Sequence, residues 1–175
     1  MRKVVVIGSG GSGKSTFSQE LGEITGLPVV HLDKLFWRPN WTRTPEDEWL
    51  EIVGREIARP EWIMDGNFGG TREMRMREAD TIIMLDVPRW LCMYRILKRT
   101  LLYRKETRPD MAEGCEERFD WEFIMWVWHY PSQSKQRAIA EIESLNNKDV
   151  FVLKSRKEIE QFLKTHAADD PTSGG

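Results

Sequence analysis

Apolar positions along this chain follow two rhythms, short unbroken runs and longer stretches at helical spacing. The runs are KVVVI (Lys3 to Ile7), PVVHL (Pro28 to Leu32), WIMD (Trp62 to Asp65), TIIMLDV (Thr81 to Val87) and DVFVL (Asp149 to Leu153). Because they are mostly continuous rather than alternating, they predict parallel strands covered on both faces. Between the first two, Phe17, Leu21 and Ile24 recur at helical spacing over Ser15 to Thr25, and Gly26-Leu27-Pro28 ends the pattern. Glu46 to Ala58 sets Trp49, Ile52, Val53 and Ile57 on one face, with Thr44 as its expected cap and Pro45 at its first position. Arg89 to Arg104, Phe119 to Tyr130 and Ser134 to Leu145 read as further helices, with Pro131 interrupting the path between the last two.

Helix alternating with strand predicts a three-layer α/β fold with a five-stranded parallel sheet. The 175 residues suit one domain over residues 1–166, with the polar AADDPTSGG ending giving a disordered tail at 167–175. A stretch at about residues 103–120 lacks periodicity and mixes Arg104, Lys105, Arg108 and Pro109 with Asp110, Glu113 and Glu116. It predicts a mobile lid rather than core.

Charge and cysteine content narrow the partners. Lys and Arg total 26 against 28 Asp and Glu, a formal charge of −2, which gives no whole-molecule attraction to nucleic acid or acidic membranes. Cys92 and Cys115 stand far apart, so neither a disulfide framework nor a paired zinc spacing is available. The short apolar run near Met1 is no signal peptide, and no stretch approaches ~20 apolar residues. A cytoplasmic protein, monomer or homodimer, is expected.

The first run leads directly into GSGGSGKST. Gly8, Gly10, Gly11, Ser12, Gly13, Lys14, Ser15 and Thr16 match the pattern of a phosphate-binding loop in full, after a predicted strand and before a predicted helix. Glycines let backbone N–H groups wrap around phosphate oxygens, and the helix N-terminus adds the positive end of its dipole. Lys14 would reach the terminal phosphates of ATP and the Ser15 hydroxyl would coordinate Mg²⁺. Gly8, Gly10 and Gly13 also fit a dinucleotide fingerprint, with Asp33 as its acid, but Lys14 decides for the phosphate loop. A guanine-binding protein is disfavoured, since NNKDV has Val150 where the guanine-reading acid belongs.

Three acids end predicted strands, at the sheet edge where α/β domains bind ligands. Asp86 is expected to hold a Mg²⁺-bound water or to cap the next helix. Asp33 is expected to orient or deprotonate an acceptor hydroxyl, to approach the metal, or to cap a turn. Asp65, in DGNF, builds a turn, and His31 packs in the core. Arg89, Arg95, Lys98, Arg99, Arg104, Lys105 and Arg108 form a basic stretch, some of whose arginines should close over ATP and meet the charge on the transferred group. Arg72, Arg75 and Arg77 are candidates for an anionic acceptor or for surface ion pairs. Of eight tryptophans, Trp37 and Trp41 could wall a flat acceptor, while Trp49, Trp62, Trp121, Trp126 and Trp128 are expected in the core.

These motifs resemble the adenylate kinase-like group of P-loop kinases. More closely, GSGGSGKST, HLDKLFW, DGNFGGT, ADTIIMLD, KRTLLYR and RPDMAEGCEERFDWEF look like the family named DNA topology modulation protein, over Val4 to about Leu145. The resemblance implies that Gly8, Gly13, Lys14 and Ser15 bind ATP and Mg²⁺, that Asp86 lies just outside the metal's own ligands, and that Arg99 and Arg95 approach ATP. It further implies that Lys154 to Arg156 border the base. The chain departs from adenylate kinases at DGNF, where those carry a Gly-Phe-Pro-Arg turn whose arginine binds the acceptor nucleotide; Arg75 is the candidate substitute. The expected function is an ATP- and Mg²⁺-dependent kinase of a small-molecule acceptor, with Lys14, Asp33, Arg99 and Arg108 as its catalytic residues. The alternative is an ATP-sensing regulator that acts on DNA topology or gene expression. No helix-turn-helix or basic stripe supports direct DNA contact.

Overall fold

The computed structural model describes residues 1–103 and 110–168. In chain order its elements are β1 (Lys3–Gly8), α1 (Lys14–Thr25), β2 (Val29–His31), α2 (Leu32–Phe36), β3 (Trp37–Arg38), β4 (Thr42–Arg43), α3 (Glu46–Ile57), β5 (Trp62–Asp65), α4 (Gly69–Glu78), β6 (Thr81–Leu85), α5 (Arg89–Leu102), α6 (Trp121–His129), α7 (Ser134–Glu143), β7 (Asp149–Leu153) and α8 (Arg156–Ala168). Single 3₁₀ turns stand at Pro39–Trp41 and Tyr130–Ser132.

The five apolar runs become one parallel sheet in the order β2-β5-β1-β6-β7, and β3 pairs with β4 as a small antiparallel hairpin outside it. β1 lies at the centre, where Val6 faces Asp65 of β5 on one side and Ile83 of β6 on the other. Strands on both sides of β1 run the same way, so its C-terminal end opens onto the edge where the chain order reverses.

Alternation along β1 divides the interior. Val4 and Val6 pack with Phe17 and Leu21 of α1 and Phe162 and Leu163 of α8. Val5 and Ile7 pack with Trp49 and Val53 of α3, Met76 of α4 and Ala138 of α7. Each such buried side chain stabilises the fold by about 1.5–3 kcal/mol relative to exposure, so the register of β1, and with it the place of the glycine loop, is strongly set. A third cluster, built on Cys92 and Ile96 of α5 and Ile124 and Val127 of α6, lies over that loop.

Several local expectations change. Thr44 caps nothing: its hydroxyl donates to the carbonyl of Phe36 at 2.7 Å, which fastens the hairpin's exit, and α3 starts after Pro45 with no side-chain cap. Trp49 and Trp62 are buried, but Trp121, Trp126 and Trp128 are exposed on α6. His31 is half-buried rather than in the core, its Nδ1 2.7 Å from Asp65 Oδ2 across the β2-β5 register pair. Of the expected lid, residues 104–109 lie outside the described residues, while Met111, Cys115 and Glu117 are buried. The expected tail at 167–175 falls on the end of α8 and then outside the described residues. Among the described residues no helix is long and apolar enough to cross a membrane.

Candidate active site

The glycine loop is pressed between sheet and helices. A Cβ at Gly10 would stand 2.6 Å from the Phe123 ring, and one at Gly11 would stand 2.5 Å from the Cys92 carbonyl oxygen. Any larger residue would push α6 or α5 off the loop. Gly11 and Gly13 also need positive φ, 74° and 97°, which glycine adopts freely. Gly13 is the N-cap of α1, with no side-chain cap bond and no acid in the first turn. The helix's leading N–H groups and the positive end of its dipole are therefore left for an anion.

Side chains brace this loop from three directions. Lys14 Nζ donates to Ser9 O at 2.9 Å, and Arg95 Nη1 donates to Ser12 O at 3.0 Å. The Asn67 amide donates to Gly8 O at 2.6 Å and accepts from Gly8 N–H at 3.2 Å, so it pairs with the backbone where β1 ends. Arg75 in turn fixes the turn that carries Asn67. Its fully buried guanidinium donates to the carbonyls of Gly66 at 3.0 Å, Asn67 at 2.8 Å, Phe68 at 3.2 Å and Thr71 at 3.3 Å. Phe68, at φ 25°, stores strain of about 1–3 kcal/mol that these bonds hold in place.

A cavity of about 890 Å³ opens over the loop. Its wall brings together Gly10, Gly11, Gly13, Lys14, Ser15 and Thr16 with Asp33, Trp37, Arg95 and Arg99. Enclosure pushes the Lys14 ammonium below its ordinary pKa, while the carboxylates of Asp65 and Asp33 oppose that drop. Arg99 Nε donates to Glu117 Oε1 at 2.9 Å, and the Thr100 hydroxyl donates to the same oxygen at 3.3 Å. At the hairpin end, Trp37 and Trp41 meet edge to face with centroids 5.4 Å apart, and the Arg118 guanidinium lies 5.5 Å from the Trp41 ring. Arg43, register partner of Trp37, also lines the cavity.

Other expected site residues stand elsewhere. Arg72 is buried in a two-pronged bond to Glu141 of α7, with both contacts at 2.6 Å. Arg72 and Arg75 thus hold helix to helix and turn to helix; neither lines the cavity, and the expectation that they bind an acceptor gives way to that placement. Gly8 and Ser12 shape the loop from behind, and Ser12 Oγ is buried without a hydrogen-bond partner. Arg156 is exposed on the first turn of α8, 2.6 Å from Glu160, and is not part of the wall. Asp86 follows β6 and accepts from Lys135 Nζ of α7 at 2.6 Å. Arg108 lies outside the described residues.

Asn67 and Glu117 are the functional candidates that sequence reasoning missed. Asn67 had a signal, since an Asn directly after a strand-ending Asp-Gly can bond back to a neighbouring strand end. Glu117 had none, for it sits in an aperiodic acidic stretch. Among the described residues no group of three or more His, Cys, Asp and Glu forms a metal site. A Mg²⁺ carried by nucleotide phosphates needs only one or two protein ligands, so the hydroxyl of Ser15 in the cavity wall fits that requirement.

No family model and no curated protein matches the chain. Among solved structures, a sugar kinase from Janibacter sp. HTCC2649, unliganded, aligns over 96% of this chain and 93% of its own at 20% identity, with a TM-score of 0.49. Shikimate kinase from Acinetobacter baumannii, in complex with shikimate, aligns over 94% of this chain and 90% of its own at 10% identity, with a TM-score of 0.58. The five-stranded parallel sheet with helices on both faces is the fold of that shikimate kinase, a P-loop kinase fold.

Proposed function

We propose that this protein is a Mg²⁺-dependent kinase that moves the γ-phosphoryl group of ATP to a hydroxyl of a small-molecule acceptor. The observation that carries the reading is the meeting, in one cavity, of the uncapped N-terminus of α1 with Lys14, Asp33 and Arg99. The P-loop kinase fold supports it, as does the sequence resemblance to the adenylate kinase-like group and, within it, to DNA topology modulation proteins. A single cytoplasmic domain over residues 1–166 belongs to the same reading.

The chain's own groups divide the work. The loop backbone, with the buried Ser12 hydroxyl behind it, receives the phosphates, and Lys14 exchanges Ser9 O for a phosphate oxygen. Ser15 is assigned to Mg²⁺, which when bound neutralises phosphate charge, and Asp86, paired with Lys135 outside the cavity wall, is assigned to a water on that ion. Arg95 holds the loop carbonyls, and Arg99 leaves Glu117 to meet charge that spreads over the transferred group; Arg108 is assigned to the same task from the lid. Asp33 orients the acceptor hydroxyl. As the acceptor oxygen bonds to phosphorus, the bond to the β,γ-bridging oxygen breaks, ADP leaves and the hydroxyl proton passes to Asp33. Trp37 and Trp41, set edge to face, supply an apolar corner at that end of the cavity, which suits an acceptor carrying a ring.

The test is ADP release from Mg·ATP by the purified protein against a panel of nucleosides, nucleoside monophosphates and small ring-shaped hydroxy acids and sugars. Stimulation by one class, with a matching phosphorylated product, is the expected result. Tight ATP binding with no acceptor-dependent turnover would instead favour the ATP-sensing regulator.

A further inference from the structure

Glu117 stands in the chain between two residues that grip one indole ring. The carbonyl of Glu116 accepts from Trp41 Nε1 at 3.0 Å, and the Arg118 guanidinium lies 5.5 Å from the centre of the Trp41 ring. Glu117 itself, with a side chain only 4% exposed, accepts from Arg99 Nε and from the Thr100 hydroxyl of α5. The chain just before it is seated on the hairpin by bonds of its own, from Asn40 N–H to Gly114 O and from Cys115 Sγ to Arg38 O. Residues 116 and 118 then meet the hairpin through the indole. Adjacent Cα atoms are about 3.8 Å apart along a trans chain, so a shift of residues 116 and 118 carries Glu117 with it. Trp41 is moreover held under strain, at φ 59° directly after Asn40 at φ 60°, a region that a residue with a bulky side chain keeps only while its contacts hold it there.

We propose that Trp41 is a positioning residue for phosphoryl transfer: through residues 116 and 118 it keeps Glu117 on Arg99, and an acceptor seated in the corner of Trp37 and Trp41 releases that arginine to the nucleotide. The inference rests on the kinase reading above and adds the order in which the site is completed. All five side chains, Trp37, Trp41, Arg99, Glu117 and Arg118, line the same cavity. A ring that takes the face of Trp41 displaces the guanidinium of Arg118, and the stretch carrying Glu117 loses its anchor.

The burial of Glu117 gives this anchor its effect. Drawing Arg99 away while Glu117 stays in place would leave a nearly buried carboxylate without its cation, which costs far more than the pair itself is worth. Once the stretch moves, Glu117 reaches water and that cost falls. Nucleotide alone therefore meets a loop and Lys14 ready for its phosphates, but the arginine assigned to the transferred group is withheld. Acceptor completes the site, and ATP is spared transfer to water while the acceptor is absent.

Calorimetric titration of the full chain with Mg·AMP-PNP, a non-hydrolysable ATP analogue, tests the anchor without turnover. Trp41→Phe keeps a ring and removes the Nε1 donor, while Arg118→Gln removes the cation from the ring face. Each should tighten binding about 3-fold in the parent, the scale of one lost hydrogen bond or cation–ring contact. Neither should change it in a Glu117→Gln background, where Arg99 is already loosened. A panel compound that stimulates ADP release should likewise tighten binding of the analogue to the parent and leave Glu117→Gln unmoved. Equal effects in the two backgrounds, no effect in the parent, or the weaker binding that a merely structural Trp41 would give, would each overturn the proposal with the kinase reading intact. A parent that does not bind the analogue would overturn that reading, and this inference with it.

Discussion

Lys14 and Arg75 are both enclosed cations, yet they hold different kinds of partner. Lys14 reaches one loop carbonyl that a phosphate oxygen can replace, so Lys14→Ala should lower turnover on the order of 10³-fold while the melting temperature stays close to that of the parent. Asp33→Asn keeps shape and removes the proposed base, and a loss of about 10²-fold or more in kcat is expected from steady-state kinetics with the cognate acceptor. Arg75→Met should act through stability instead. It strips four carbonyl acceptors of their donor in a site without water access, and urea unfolding should show a loss of about 3 kcal/mol or more. These contrasts also mark how far single residues were legible. Lys14, Ser15 and Asp33 were readable because a contiguous motif or a strand end announces them. Arg72 and Arg75 were not, because their partners Glu141 and the Gly66–Phe68 carbonyls are set by how α4 meets α7 and the β5 turn.

Elements with a full period of apolar residues were readable, and the shortest ones were not. The five strands and the helices α1, α3, α5, α6 and α7 follow from runs and spacing, with ends shifted by one to two residues where caps rather than periodicity decide. α2, β3 and β4 are too short to show any period, although they place Asp33, Trp37 and Arg43. α8 had its signal in Ile159, Phe162 and Leu163, which pack on or in the core cluster beside α1. The contact between α5 and the segment after residue 110 is a tertiary fact, and it carries a prediction of its own. On the proposed reading Glu117 competes with phosphate for Arg99, so Glu117→Gln, whose neutral oxygen is a weaker acceptor, should tighten ATP binding roughly 5-fold by calorimetry. Unchanged or weaker binding would show that Arg99 does not exchange partners.

For the molecule as a whole, the central position of β1 was implied by the loop that follows it, whereas the sheet order rests on pairing between distant strands. One consequence of that order is the His31–Asp65 pair, which joins the edge strand β2 to β5. Burial opposes a charge on His31, but the hydrogen bond and the charge of Asp65 outweigh it and raise the imidazole pKa above its ordinary value near 6.5. The folded state therefore holds this proton more tightly than the unfolded chain. Its contribution to stability is full below the unfolded pKa and is lost as pH rises through the folded one. Denaturation at a series of pH values upward from 6 should show stability falling with pH, and His31→Gln should flatten that slope.

The hairpin and the stretch 114–116, within the expected lid, are joined at three points: Asn40 N–H to Gly114 O at 3.0 Å, Trp41 Nε1 to Glu116 O at 3.0 Å, and Cys115 Sγ to Arg38 O at 3.2 Å. Two stretches more than seventy residues apart are thus cut to each other's length. In relatives that handle acceptors of other sizes, an insertion or deletion in one stretch should be matched by a change in the other. A graft of a new acceptor specificity onto this chain would need to carry both together.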